Sequence, residues 1–308
     1  MPRIATNVSN QVTLFELLRN QSDLLQAQKQ VSSGKKSTDL KGLAPQLDTL
    51  NAAHALSTRN DSYIEAIKEV NGRLAAQNLA LSEVASSADD LRQAVIDALS
   101  LGSGITLVQQ LESVFGRALN GLNQTFAGRP LFGGSRVDTP PVNIKTLNDL
   151  GAAVAVSDVF DNTKVKATAR VDEGNPIETG FLADDVGTDI LTVIKSIKDF
   201  NDGASGPFTA NLTNAQKTFL QSTLASISSA ADGLNIQVGK NGLLQNRVEN
   251  AQSRAENQQI LLKGVVGDIE DIDLAEAATR LTQAQTAVEA SARTFSLLRD
   301  LSLLNFLR

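Results

Sequence analysis

The fold is decided by a long apolar repeat, YIEAIKEVNGRLAAQNLALSEVASSADDLRQAVIDA, at residues 63–98. Apolar residues recur there at alternating steps of four and three, and charged residues such as Glu65, Glu83 and Asp97 lie off the repeat. This spacing is typical of an α-helix that packs along its length against another helix. From residue 45 to 99 such a helix would extend about 80 Å. A globule of this size is too small to bury it, so the pattern predicts long paired helices.

A second repeat of the same kind occupies the C-terminal third of the chain. Its apolar positions are again three and four residues apart, and a further repeat begins at Leu274 after an acidic run at 268–273. We predict that the two arms pair as an antiparallel bundle or coiled coil. The predicted seam comprises Ile67, Val70, Leu74, Leu81, Val84, Leu91, Val95, Leu244, Val248, Leu262, Val265 and Ile269. Shorter helices at 107–122 and 220–234 complete a bundle of about four helices.

The two ends of the chain carry weaker apolar repeats. Isolated helices of this kind are marginal in water, and the two ends are natural partners for each other. We expect both ends to stay disordered in a monomer until neighbouring subunits supply the missing burial. The predicted subunit-assembly residues are Leu14, Leu17, Leu24, Val31, Leu274, Leu281, Val288, Phe295, Leu298, Leu301 and Leu304.

Proline placement separates the middle of the chain from its arms. Five of the seven prolines lie at 130–207, and none lies at 46–129; proline breaks helix interiors. The stretch VKATARV at 165–171 alternates β-branched and other residues, and turn signals flank it. We therefore predict a mainly α protein with a small β-rich outer domain inserted at 137–207. The helical bundle domain would comprise 43–136 and 208–271, and the terminal paired-helix domain 1–42 and 272–308.

Composition excludes several classes of function. The chain has no cysteine, which rules out disulfides, thiolate nucleophiles and cysteine-ligated zinc. Its net charge is -6, with both signs interspersed, so no basic stripe could follow a nucleic-acid backbone. No stretch of about 18 apolar residues and no secretory start occurs, so neither membrane spanning nor a cleaved signal is expected. We predict no nucleic-acid partner and no membrane partner.

Three short patterns could suggest chemistry, but each has a simpler structural interpretation. SSGKKS at 32–37 lacks the leading glycine of a phosphate loop, and we interpret it as the end of the first helix. The acidic run at 268–273 lacks the glycine and glutamate of a calcium loop, so we interpret it as a helix break. Gly133 and Gly134 indicate the turn that leaves the bundle. His54, the single histidine, lies inside a predicted helix. We predict no enzyme, no metal and no cofactor.

Both arms resemble the bacterial flagellin family. LLRNQSDLLQAQKQVSSGKKST at 17–38 is similar to the N-terminal signature, in which a helix of leucine and polar residues ends in a Ser-Gly-Lys element. DIEDIDLAEAATRLTQAQTAVEASARTFSLLRDLSLLNFL at 268–307 is similar to the family's C-terminal helix. Two features, FAGRPLFGG at 126–134 and the SLLNFL ending at 302–307, look more like the hook-associated members at the hook–filament junction than like filament flagellins.

The resemblance implies a structural subunit of the bacterial flagellum that polymerises helically through its paired termini. It implies that the subunit leaves the cell through the flagellar export apparatus and joins the extracellular flagellum. The implied partners are the hook-side junction protein, filament flagellin, further copies of this chain and a flagellar export chaperone.

Three alternatives remain open at this point. A filament flagellin would show the same paired termini. A signalling coiled coil, such as a chemoreceptor hairpin, would also show two long arms, although the insertion between the arms and the missing membrane span argue against it. An enzyme on a helical scaffold would require clustered ionisable residues with shifted pKa values, and the sequence offers no convincing cluster.

Overall fold

The computed structural model describes residues 2–37, 39–174 and 176–304, and within these ranges it describes side chains outside 2–10, 40, 41, 43 and 298–304. The described chain is mainly α with a small β part, as the sequence predicts. Its elements are α1 (Pro2–Ser33), α2 (Leu47–Leu101), α3 (Leu107–Leu122), β1 (Thr125–Phe126), β2 (Arg129–Pro130), α4 (Leu147–Ala152), β3 (Thr168–Ala169), β4 (Ile177–Glu178), α5 (Ala183–Asp202), α6 (Asn214–Glu270) and α7 (Leu274–Leu304), with 3-10 turns at Leu40–Gln46 and Val156–Val159.

The chain divides into two compact units. Unit 1 comprises Met1–Asn60 and Asn257–Arg308, and unit 2 comprises Asp61–Glu256. Both α2 and α6 contribute residues to each unit. The division into three domains at 42, 136, 207 and 271 stays a prediction.

The main hydrophobic cluster of unit 2 lies among α2, α3, α5 and α6. On α3, Leu107, Leu111, Val114, Ala118 and Leu122 are buried at steps of three and four, which explains why this helix has the limits that the sequence predicts. The helices approach closely where glycine allows it. A Cβ at Gly121 would meet Val84 Cγ2 at 2.7 Å and the Ala80 carbonyl oxygen at 3.0 Å. Alanine at this position would therefore force α3 away from α2.

The middle segment holds more helix than the sequence leads us to expect. Its strands are short, since β3 and β4 pair only Thr168 with Glu178 and Ala169 with Ile177. The 20-residue α5 occupies the end of the segment and buries Val186, Ile190, Leu191, Ile194 and Ile197. Several of these residues are β-branched and have a modest intrinsic preference for helix. Burial against α3 and the rest of the cluster outweighs that preference.

A second, smaller hydrophobic cluster of unit 2 joins α2 and α6 to the β3–β4 pair. It contains Ile67, Val70, Leu74, Val171, Ile177, Val248, Ala251 and Ala255. The antiparallel seam predicted from the two repeats is therefore present here, with one strand pair packed against it.

Helix α6 is continuous, where the sequence predicts a short helix at 220–234 and a separate arm from 241. Gly233, Gly239 and Gly242 lie inside it. Each glycine in a helix interior costs about 1 kcal/mol relative to alanine. Buried residues on the same stretch, among them Leu234 and Val248, supply the compensating tertiary contacts.

The FAGRPLFGG segment folds as a tight hairpin followed by a turn. Phe126 pairs with Arg129 across a turn in which Ala127 and Gly128 have φ of 49° and 76°. Phe132 is fully buried in the main cluster. Gly134 has φ of 69°, and a Cβ there would meet Thr163 Oγ1 at 2.5 Å, so this turn requires glycine. The predicted turn at Gly133 and Gly134 is thus confirmed.

Candidate assembly surface

Within unit 1, α1 and α7 pack together as an antiparallel pair, which we call the terminal pair. Asn20 Nδ2 donates to Ser291 Oγ at 2.5 Å, and Gln30 and Arg280 line one shared groove farther along. Ala27 on α1 and Ala277 on α7 are both buried.

The predicted assembly residues divide into three groups in the structure. Most are half-buried on the two helices of the terminal pair, namely Leu17, Leu24, Val31, Leu281, Val288 and Phe295. Leu14 and Leu274 are exposed. The side chains of Leu298, Leu301 and Leu304 lie outside the described residues, and so does most of the SLLNFL ending. The role of all eleven in assembly stays a prediction.

A second apolar face runs along α1, and we call it the exposed stripe. It consists of Leu14, Leu18 and Leu25. At a rotation of 100° per residue, these three residues lie within 40° of one another around the helix axis. They lie about 120° from the face of α1 that packs against α7. Leu18 and Leu25 are 55% and 59% exposed, and neighbouring Phe15 is 76% exposed. The predicted assembly residues do not include Leu18, Leu25 or Phe15, because the predicted repeat on α1 follows one register of apolar residues only.

Further large apolar side chains of unit 1 are exposed on other helices. They are Ile260 and Leu261 on α6, and Leu274 and Leu297 on α7. Scattered exposed leucines need no explanation, but a row of them on one helix face indicates a surface that another molecule covers. The exposed stripe is therefore the best candidate site in unit 1.

The ends of α1 and α6 are joined by backbone hydrogen bonds. The Lys36 amide donates to the Glu270 carbonyl at 2.7 Å, and the Ile272 amide donates to the Gly34 carbonyl at 3.0 Å. Gly34 has φ of 69° and ends α1, which confirms the predicted helix-ending loop. The acidic run at 268–273 separates α6 from α7, which confirms the predicted helix break. Asp273 Oδ1 accepts from the Ala275 amide at 2.8 Å and caps α7.

Glu270 carries the strongest electrostatic interactions of this corner. The Lys35 ammonium forms an ion pair with one carboxylate oxygen, and His54 Nε2 lies 3.0 Å from the other. The hydrogen bond from Lys35, followed by that from His54, lowers the pKa of Glu270, and the Glu270 carboxylate raises the pKa of Lys35. His54 is a helix residue, as predicted, but the sequence did not indicate its partner, which lies 216 positions away.

Replacing Glu270 with glutamine should weaken unit 1 in a pH-dependent way. Because its pKa is lowered on folding, the carboxylate stabilises the fold above the ordinary glutamate pKa of about 4.3, and this stabilisation is lost as pH falls through the lowered folded value. Since Lys35 is partly exposed, we expect a loss of about 1–2 kcal/mol at pH 7 for Glu270→Gln.

The measurement is urea unfolding followed by circular dichroism at pH 3 to 7. Glu276→Gln is the matched control. Both side chains of the Glu276–Arg280 ion pair are more than half exposed, so the pair should contribute little to the free energy of unfolding. If the free energy of unfolding of Glu270→Gln depends on pH as that of the wild-type chain does, the Glu270 carboxylate does not stabilise unit 1.

The predicted bundle seam is largely buried. In unit 2 every predicted seam residue is buried except Leu244, which is half-buried; in unit 1 Leu262 and Ile269 are buried and Val265 is half-buried. Amide pairs interrupt these apolar positions. Asn60 donates to Gln259 at 3.0 Å in unit 1, and Asn71 donates to Gln252 at 3.0 Å in unit 2. The burial agrees with a packing role for the seam residues.

The described residues offer no built metal centre. Among residues 2–37, 39–174 and 176–304, no group of three or more His, Cys, Asp or Glu side chains is placed to hold a metal ion. Across the same ranges, no helix combines the length and the apolar character needed to cross a bilayer. The exposed stripe remains the feature with a clear physical use.

Comparison with known proteins agrees with this architecture. Residues 224–307 match the family model of the bacterial flagellin C-terminal helical region. A search of curated proteins finds no match. Many solved structures have a similar fold.

Three of these structures belong to flagellar proteins. One is described as a flagellar hook-associated protein from Vibrio parahaemolyticus, with 16% identity, a TM-score of 0.58, and 71% of this chain and 95% of that chain covered. FlgL from Bacillus cereus (16% identity) and FlgL from Xanthomonas campestris (13% identity) each have a TM-score of 0.54, with 71% of this chain and 99% of theirs covered. The chain is therefore similar to flagellins in its C-terminal helical region, residues 224–307, and its fold is similar to that of these flagellar hook-associated proteins.

Proposed function

We propose that this chain is a non-enzymatic structural subunit of the bacterial flagellum that acts at the hook–filament junction. The observation that carries the proposal is the exposed stripe on α1. Burying a leucine side chain contributes about 1.5–3 kcal/mol, and the stripe holds three leucines that the described chain leaves exposed. Covering them on assembly would supply the free energy that joins one subunit to the next.

The mode of assembly is helical polymerisation. Each subunit would use the half-buried seam of the terminal pair within its own chain and the exposed stripe toward a neighbour. If the exposed stripe packs on a different surface of the next subunit, the contact is head-to-tail and need not close on itself. The partners would be further copies of this chain, a hook-side junction protein and filament flagellin. An export chaperone would cover the ends beforehand, and the subunit would leave through the flagellar export apparatus.

Polymerisation of the purified full chain on flagellar seeds, viewed by electron microscopy, tests the proposal. We expect a short layer on hook ends that carry the hook-side junction protein, and no elongation on bare filament seeds. Long filaments from this chain alone would contradict the junction role and favour a filament flagellin. Dimers that form and then stop growing would contradict both flagellar roles and favour a signalling hairpin.

A filament flagellin is the second candidate, because the C-terminal family match is to bacterial flagellin itself. The three similar structures named above support the junction role instead. They are hook-associated or FlgL proteins, and the match to this chain covers at least 95% of each of them.

A further inference from the structure

Buried side-chain polar atoms without a hydrogen-bond partner are concentrated at one level of unit 2. Gln77 on α2 and Asn241 on α6 are both 0% exposed. In the described part of the chain, six buried side-chain polar atoms have no hydrogen-bond partner, and four of them belong to Arg73, Gln77 and Asn241. For Gln77, both the amide nitrogen and the amide oxygen are without a partner. We call Gln77 and Asn241 the amide layer.

The two residues of the amide layer lie on facing helices. Asn241 Nδ2 donates to the Leu74 carbonyl at 3.0 Å, and Leu74 is one turn before Gln77. Gln245 Nε2 donates to the same carbonyl at 3.1 Å. Asn241 thus holds α6 against α2 through a backbone atom, while the neighbouring Gln77 side chain is buried without a compensating interaction.

The amide layer separates the two hydrophobic clusters of unit 2. On α2, the buried residues of the smaller cluster end at Leu74 and those of the main cluster begin at Ala80, and half-buried Ala76 packs against the main cluster. On α6, the main cluster ends at Leu234 and the smaller one begins at Val248; half-buried Leu244 packs against both. Leaving a buried amide without a partner costs stability. The layer is therefore a level of the α2–α6 pair at which burial carries an uncompensated cost.

We propose that the amide layer is a joint at which the smaller cluster opens without unfolding the main cluster. The main cluster is held by five helices, with α4 added to α2, α3, α5 and α6, whereas the smaller one is held by two helices and the β3–β4 pair. Apolar packing through position 77 would couple the two clusters into one cooperative block. The amide layer interrupts that packing, so this section of the helix pair can loosen and close again within a folded subunit.

Hydrogen exchange of the full chain, resolved by peptide mass spectrometry, tests this inference. Amides at 62–74 and 245–255 should exchange roughly tenfold or more faster than those at 81–98 and 220–234. Gln77→Leu, which has a similar volume and no polar atoms, should slow the first set by roughly tenfold and leave the second set unchanged. Should Gln77→Leu fail to fold, Gln77→Met makes the same test with an unbranched side chain.

The matched control is Gln252→Leu, because Gln252 accepts from Asn71 at 3.0 Å and lies within the smaller cluster's section of α6. This substitution introduces leucine at a position whose side-chain amide already has a hydrogen-bond partner. We therefore expect no slower hydrogen exchange at 62–74 and 245–255. Equal exchange of the two sets in the wild-type chain would overturn the proposal. So would a Gln77→Leu variant that leaves the difference intact or slows both sets alike.

Discussion

Deleting residues 281–308 should abolish assembly on flagellar seeds and leave unit 2 folded. The deletion removes most of α7, including the half-buried Leu281, Val288 and Phe295, so α1 loses its partner in the chain. An isolated amphipathic helix is marginal in water, and the exposed stripe would no longer be held in place. Unit 2 keeps both of its hydrophobic clusters. Electron microscopy measures assembly, and thermal unfolding by circular dichroism measures the remaining fold.

A control for this deletion is addition of the missing peptide, residues 281–308, to the truncated chain. Recovery of assembly would show that the terminal pair matters as a pair. Assembly by the truncated chain alone would refute the terminal-pair mechanism, because neither the α1–α7 seam nor a stripe supported by it would then be necessary.

Leu18→Asp combined with Leu25→Asp should reduce seeded assembly by at least about a hundredfold. Each substitution removes about 1.5–3 kcal/mol of apolar burial from the subunit contact and places a charge there. Because both leucines are more than half exposed in the single chain, their replacement should change its melting temperature very little. The rate of assembly is measured by light scattering, and the ends are inspected by electron microscopy.

Thr282→Asp combined with Thr286→Asp provides the matched control. Both threonines are exposed on α7 and point away from the α1 seam, so this variant adds the same two charges to the terminal pair without touching the stripe. Normal assembly of the control with failure of the stripe variant would locate the contact on α1. Normal assembly of the stripe variant would exclude the exposed stripe as the contact.

Local sequence was sufficient wherever one helix determines its own limits. Gly34 ends α1, and the apolar spacing of α3 predicts both of its ends. The burial of Ile67, Leu74, Leu81 and Val248 also follows from the repeat, because a helix with an apolar stripe must cover it.

Local sequence was insufficient where several elements share one environment. Helix α5 lies in a segment whose turns and β-branched residues favour strands, and its burial against α3 is a tertiary effect. Continuous α6 passes through five glycines that local propensity disfavours. The Lys35–Glu270–His54 cluster joins residues more than two hundred positions apart, which no local pattern can reveal.

The sequence by itself determined that the chain is mainly α, that its arms pair, and where most seam residues lie. These properties follow from spacing along one helix, which is a local quantity. Only the tertiary structure decided which apolar residues of α1 face α7 and which form the exposed stripe, because two registers of leucine coexist on that helix. It also decided that the buried Gln77 amide lacks a hydrogen-bond partner, since such a partner would have to come from the facing helix.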